Sequence, residues 1–140
     1  MNPILRNILA VIAGLVAGMA ANMGFLILLN KLIPVPEGVD FNDMDTIVQA
    51  MEAGKYQLKH FITPFVAHSA QALLGAFIAV KLGASKHLVL AFIIGGLSLV
   101  GGFLAVTLIP APLWYNIIDL VFAYIPMSLI GYSIAGKGSS

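Results

Sequence analysis

The chain has 140 residues, of which 60% are hydrophobic and 9% are charged, whereas about 25% of the residues in an ordinary soluble domain are charged. This composition excludes an ordinary soluble fold and predicts an integral membrane protein. The net charge of +1 and the lack of a basic cluster exclude a nucleic-acid interface. Because the chain contains no cysteine, disulfides, thiol catalysis and thiolate metal sites are excluded as well.

Four continuous apolar blocks run along the chain, and each is close to the ~20 residues that a helix needs to cross a bilayer. We predict transmembrane helices at about residues 5–30, 61–82, 86–109 and 112–135, within one membrane domain over residues 1–140. The first block also carries signal-peptide features, but its apolar run continues past the small residues, so we expect a retained helix. The predicted fold is all-α, an antiparallel four-transmembrane-helix bundle in a lipid bilayer.

Two short connections predict that consecutive helices are antiparallel neighbours. In the segment 81–87, Gly83 can take a left-handed conformation at the end of one helix and Ser85 can cap the next. In the segment 109–112, Pro110 stops the third helix and Pro112 suits the first turn of the fourth.

The basic residues predict how the helices cross the membrane, because Lys and Arg collect in short cytoplasmic loops and termini. An even number of spans places both termini on one side, and that side would hold four basic residues: Arg6, Lys81, Lys86 and Lys137. The opposite side would hold three lysines among five acids in the long connection 31–60. We therefore predict that both termini are cytoplasmic.

The connection 31–60 is the only long segment outside the apolar blocks. Four apolar residues within it repeat at helical spacing: Met44, Ile47, Val48 and Met51. The repeat predicts a short amphipathic helix on the outer face of the bundle. The acids around Asp45 lack the spacing of a calcium-binding loop, so no metal site is predicted.

Small residues recur at helical spacing along the first three predicted helices. Helices in lipid associate by close packing of such residues rather than by hydrophobic burial. We predict that five glycines form seams between helices: Gly14, Gly18, Gly75, Gly95 and Gly102. The glycine pairs Gly95–Gly96 and Gly101–Gly102 suit two seams on the third helix, one of which would be an interface with a second copy of the chain.

Polar residues inside the apolar blocks bear most directly on function, because an ionisable group in a membrane needs a partner. Asp119 is the only acid outside residues 37–52. Counted from the ends of their blocks, Asn22, His68 and Asp119 lie about 10 Å below the same outer surface. With neighbours on the same helix faces, they predict a buried polar layer: Asn22, His68, Gln71, Asn116 and Asp119.

This layer has two interpretations. In the first, His68 and Asp119 hold each other's orientation and protonation, and the layer is a clamp between helices. In the second, the same residues form a proton or cation relay, since ionisable groups inside membranes often mark transport paths. Pro126 removes a backbone hydrogen bond and predicts a kink in the fourth helix near Asp119.

Four runs of residues carry a family resemblance: Arg6-Asn-Ile-Leu-Ala-Val-Ile-Ala-Gly14, Leu108-Ile-Pro-Ala-Pro-Leu-Trp-Tyr115, Asp119-Leu120 and Ala123-Tyr-Ile-Pro-Met127. Through them the chain resembles, over nearly its whole length, a family of small uncharacterised bacterial four-helix membrane proteins. The resemblance implies a four-helix fold in a bacterial inner membrane. It implies no activity, because none is established for that family.

Motifs for the common kinds of catalysis are missing from the sequence. The chain contains no Gly-x-Ser-x-Gly, no His-Glu-x-x-His and no glycine-rich phosphate loop. We therefore predict a non-catalytic membrane protein without a cofactor, either an accessory subunit of a larger membrane complex or a self-associating bundle. The alternative is a small proton-coupled transporter or exporter that acts as a homo-oligomer, with His68 and Asp119 as its relay.

Overall fold

The computed structural model describes residues 1–136. Most of these residues are in helices, and none is in a strand. Six α-helices follow in chain order: α1 (Pro3–Leu32), α2 (Met44–Glu52), α3 (Ile62–Leu82), α4 (His87–Leu108), α5 (Leu113–Phe122) and α6 (Ile125–Ala135). A 3-10 turn over Leu58–Phe61 leads into α3. The all-α prediction is confirmed. Lys137, which the predicted orientation counts, lies outside the described residues.

Four helical stretches are long and apolar enough to cross a membrane: Pro3–Leu32, Leu58–Leu82, His87–Leu108 and Leu113–Ala135. They lie within a few residues of the four predicted spans, and the prediction of four long apolar helices is confirmed. The connection between α1 and α3 carries the short α2, which begins after Asp43, whose side chain accepts a hydrogen bond from the backbone N–H of Asp45 at 3.1 Å.

The fourth stretch is two helices rather than one kinked helix. It breaks at Ala123 and Tyr124, and Pro126 lies in the first turn of α6. Proline has no N–H to donate to the carbonyl four residues earlier, which belongs to Phe122, and its ring clashes with that carbonyl. In place of the kink predicted at Pro126, the structure therefore has a full interruption of the helix just before the proline.

Helix α3 lies at the centre of the bundle and packs against α1, α4 and α6. Along the α1–α3 contact, Arg6 donates to the carbonyl of Leu82 at 2.8 Å and Asn22 donates to Gln71 at 2.5 Å. From the first of these contacts to the second, the residue number rises along α1 and falls along α3, so the two helices are antiparallel. Helices α3, α5 and α6 run in the same direction, as expected for alternate spans.

Glycines permit the closest approaches between helices. A Cβ atom at Gly14 would lie 2.5 Å from the carbonyl oxygen of Gly75, and one at Gly18 would lie 2.6 Å from that of Gln71. On α4, a Cβ at Gly95 would collide with Ser128, and one at Gly102 would lie 2.7 Å from the ring of Tyr124. All five predicted seam glycines lie at such contacts, and one further seam glycine, Gly131, faces the α3 backbone.

The turn between α3 and α4 differs from its predicted form. Gly83 has a φ of −61°, and the left-handed residue is Lys86, with a φ of 55°. Ser85 does not cap α4. Instead, Asn7 of α1 accepts hydrogen bonds from the backbone N–H groups of Ala84 at 2.8 Å and Ser85 at 3.3 Å. A residue from a distant helix therefore satisfies the turn, which local capping rules cannot anticipate.

Candidate functional site

Helices α3 and α5 bring His68 and Asp119 into direct contact. The Nδ1–H group of His68 donates to the Asp119 carboxylate, with Nδ1 lying 2.9 Å from Oδ1 and 3.1 Å from Oδ2. Asp119 is 5% exposed, and the His68 side chain is 24% exposed. A buried carboxylate with a charge-assisted partner is the arrangement that an apolar interior requires.

Tyr124 completes the cluster. Its hydroxyl donates to Asp119 Oδ2 at 2.9 Å, and its ring stacks on the His68 imidazole with centroids 5.7 Å apart. On a continuous helix, residues five positions apart would point about 140° away from each other. The break between α5 and α6 removes this restriction, and Gly102 leaves space for the ring. His68, Asp119 and Tyr124 are called the acid cluster below.

The other predicted layer residues do not join the acid cluster. Asn22 and Gln71 form a separate hydrogen bond between α1 and α3, and the Asn22 Oδ1 atom has no partner among the described residues. Asn116 donates to the carbonyl of Ala111 at 3.4 Å on its own segment. The predicted layer therefore consists of two separate interhelical contacts, with Asn116 bonded locally.

A cavity of about 190 Å³ reaches the acid cluster from the α2 end of the bundle. It lies between α1, α3, α4 and α5, and the connection 33–56 contributes part of its wall. Both His68 and Asp119 line it. The remaining wall is mostly apolar or aromatic and includes Leu26, Val35, Ile47, Tyr56, Phe61 and Val106.

Two buried hydroxyl groups in the cavity wall have no well-formed hydrogen bond among the described residues. They belong to Thr63, which is 3% exposed, and Tyr115, which is 8% exposed. The Tyr115 hydroxyl interacts with Asp119 through its charge and a weak side-chain hydrogen bond, whose geometry falls short of a well-formed bond. Buried polar groups are usually satisfied, so the Thr63 hydroxyl in particular leaves unused hydrogen-bonding capacity in the cavity wall.

Two buried serines lie beyond the acid cluster toward the α6 end of the bundle, but no hydrogen bond joins them to it within residues 1–136. Ser128 donates to the carbonyl of Ile125 in its own helix at 2.8 Å, and Ser98 has no side-chain partner among the described residues. Tyr124 is 2% exposed and packs against Gly102. The cavity lining includes neither serine.

Within the described residues, no group of three or more His, Cys, Asp or Glu side chains could hold a metal ion. Comparisons with models of protein families, with curated proteins and with solved structures give no match. The resemblance to small bacterial four-helix membrane proteins stays a prediction. The geometry of the cluster and the cavity is therefore the basis for any assignment of function.

Proposed function

We propose that the protein is a non-catalytic, multi-pass integral membrane protein in which the acid cluster clamps α3 to α5 and α6. In this proposal it acts in a bacterial inner membrane, as an accessory subunit of a larger complex or as a self-associating bundle. The observation that carries the proposal is the buried contact of His68 and Tyr124 with Asp119.

The exposed surface of α1 supports membrane insertion. Only 11% of the most apolar window of α1 is buried, and its exposed side chains include Ile4, Ile8, Ile12, Val16 and Met19. A contiguous apolar surface of this extent needs lipid or another protein around it. Because helices in lipid pack through small residues, the glycine contacts of α1 and α3 agree with the same environment.

Self-association is supported by the surface of α4. A Cβ atom at Gly96 or Gly101 would meet no atom within 4 Å, so both positions are free of contacts within the described part of the chain. Gly96 shares a helix face with the exposed Val100, and Gly101 shares a face with the exposed Leu97. A second helix could approach either face closely, as small residues allow in membranes.

Cysteine labelling tests the proposed topology without removal of native thiols, since the chain has none. With both termini cytoplasmic, Lys55→Cys should react with an impermeant maleimide on intact cells, and Lys81→Cys only after lysis. Phe103→Cys is the matched control, because Phe103 is 56% exposed and should stay unlabelled only if lipid covers it. Labelling of Phe103→Cys in intact cells would contradict membrane insertion.

One observation favours the alternative function, a small proton-coupled transporter. The cavity reaches His68 and Asp119, as a half-channel leading to a relay would. The clamp is nevertheless the better-supported proposal, because no hydrogen bond within residues 1–136 connects the acid cluster to the buried Ser98 or Ser128.

Proton flux in vesicles separates the two functions. We expect no flux through the purified wild-type protein under an imposed pH gradient. Asp119→Asn should lower thermal stability, because a charge-assisted bond worth about 1.5–3 kcal/mol becomes a neutral one. Flux through the wild type that disappears in a folded Asp119→Asn protein would overturn the clamp and support transport.

A further inference from the structure

The cavity has features that the clamp does not use. The clamp needs only the contact between His68, Asp119 and Tyr124, yet the cavity leaves the buried hydroxyl of Thr63 without a partner among the described residues and that of Tyr115 with only a weak interaction with Asp119. A buried hydroxyl lowers stability when it is left unpaired. Both hydroxyls line the same apolar cavity as a carboxylate, which indicates a place for a ligand.

The charge of the cavity wall selects among ligand classes. Asp119 is the only carboxylate among the described residues that line the cavity, and no Lys or Arg lines it. Anionic ligands such as carboxylates and phosphates would therefore meet a carboxylate on a wall whose only groups able to carry a positive charge are two histidines, His60 and His68. When His68 is neutral, the acid cluster carries a net negative charge, which attracts a cation strongly in surroundings of low dielectric.

The aromatic side chains of the wall favour the same sign of charge. Four aromatic residues line the cavity: Phe41, Tyr56, Phe61 and Tyr115. The rings of Tyr56 and Phe61 are 5.7 Å apart, and those of Phe61 and Tyr115 are 4.9 Å apart. Burial raises the pKa of the Tyr56 phenol, so this ring stays uncharged. Aromatic faces attract cations, above all quaternary ammonium groups, which have no N–H with which to donate a hydrogen bond.

We propose that this cavity binds a small organic cation, an ammonium group carried on an apolar body. The cationic group lies toward Asp119 and the aromatic rings, and the apolar body lies against Leu26, Val35 and Ile47. A primary or secondary amine also donates hydrogen bonds to the hydroxyls of Thr63 and Tyr115. This inference goes beyond the clamp and holds whether or not protons cross the membrane.

A pair of probes of equal shape tests the proposal on the wild-type protein in lipid nanodiscs. Benzyltrimethylammonium carries the charge, and neopentylbenzene has the same shape with carbon in place of nitrogen. Trp114 is the only tryptophan of the chain, and its ring lies 5.4 Å from that of Phe61, so its fluorescence reports on the cavity. We expect a saturable change with the cation and about tenfold weaker binding of the neutral probe.

Variants assign the binding to the cavity. Asp119→Asn should weaken binding of benzyltrimethylammonium by about tenfold or more. Asp45→Asn, which removes the same charge from the exposed surface of α2, should leave it unchanged. Equal or tighter binding of neopentylbenzene to the wild type would overturn the proposal, and this comparison holds even if Asp119→Asn fails to fold. A fluorescence change that does not saturate, or equal binding to folded Asp119→Asn, would also overturn it.

Discussion

A leucine in place of Gly14 should prevent α1 from packing on α3 and should remove most of the folded protein. A Cβ atom at this position would lie 2.5 Å from the Gly75 carbonyl oxygen and 2.9 Å from the Ala79 Cβ. Backbone cannot move aside as a flexible side chain can, so the two helices would have to separate. Overpacking of this kind costs about 1–3 kcal/mol where neighbours adjust, and more where they cannot.

Gly24→Leu is the matched control for this substitution. Gly24 lies on the same helix, and a Cβ atom there would meet nothing within 4 Å. The two variants add the same apolar side chain and remove the same flexibility from α1. Monodisperse yield in detergent and the midpoint of thermal unfolding should fall sharply for Gly14→Leu and stay near wild type for Gly24→Leu. Equal stability of the two variants would contradict the α1–α3 seam.

The sequence predicts the seam but not its partners. Gly14, Gly18 and Gly75 could be found because small residues at helical spacing mark close packing in membranes. Gly131 is not among the predicted seam glycines, although it forms a buried row of small residues with Ser128 and Ala135 on α6, and its contact with Leu73 and Phe77 depends on how α6 crosses α3. The central position of α3 follows from the same crossing, which no periodicity in a single helix encodes.

Part of the candidate site can be predicted from the regular rise of residues along a helix. His68 and Asp119 could be paired because counting residues from the block ends places them at one depth. Tyr124 could not be added, since its contact with Asp119 requires the break between α5 and α6. Asn116 was assigned to the layer by its helix face, but it bonds to a carbonyl of the preceding connection instead.

The cavity lay beyond sequence analysis for a different reason. Part of its wall comes from the connection 33–56, and most of the rest comes from residues of four separate helices. Its hydroxyls without a well-formed hydrogen bond, on Thr63 and Tyr115, look like ordinary helix residues in the sequence. Their lack of well-formed bonds is a property of the packed bundle, and only the assembled structure displays it.

Replacement of His68 alone or of Asp119 alone should destabilise the protein more than replacement of both residues together. His68→Phe keeps a planar ring against Tyr124 but leaves the buried carboxylate with one donor instead of two. Asp119→Leu leaves His68 and Tyr124 without their acceptor. Loss of one partner of a buried hydrogen bond costs about 1–3 kcal/mol, and more when the group left behind is charged, whereas apolar replacement of both partners is often close to neutral.

Thermal or denaturant unfolding in detergent of His68→Phe, Asp119→Leu and the double variant measures this coupling. We expect the double variant to be more stable than the sum of the single effects predicts, by about 1–3 kcal/mol. Asn22→Leu combined with Asp119→Leu is the control pair. Asn22 bonds to Gln71 and not to the acid cluster, and residues without a shared partner have additive effects. If the effects of His68→Phe and Asp119→Leu simply add, the coupling energy between the two side chains is zero. The contact between them would then not stabilise the packing of the helices, which is what a clamp requires.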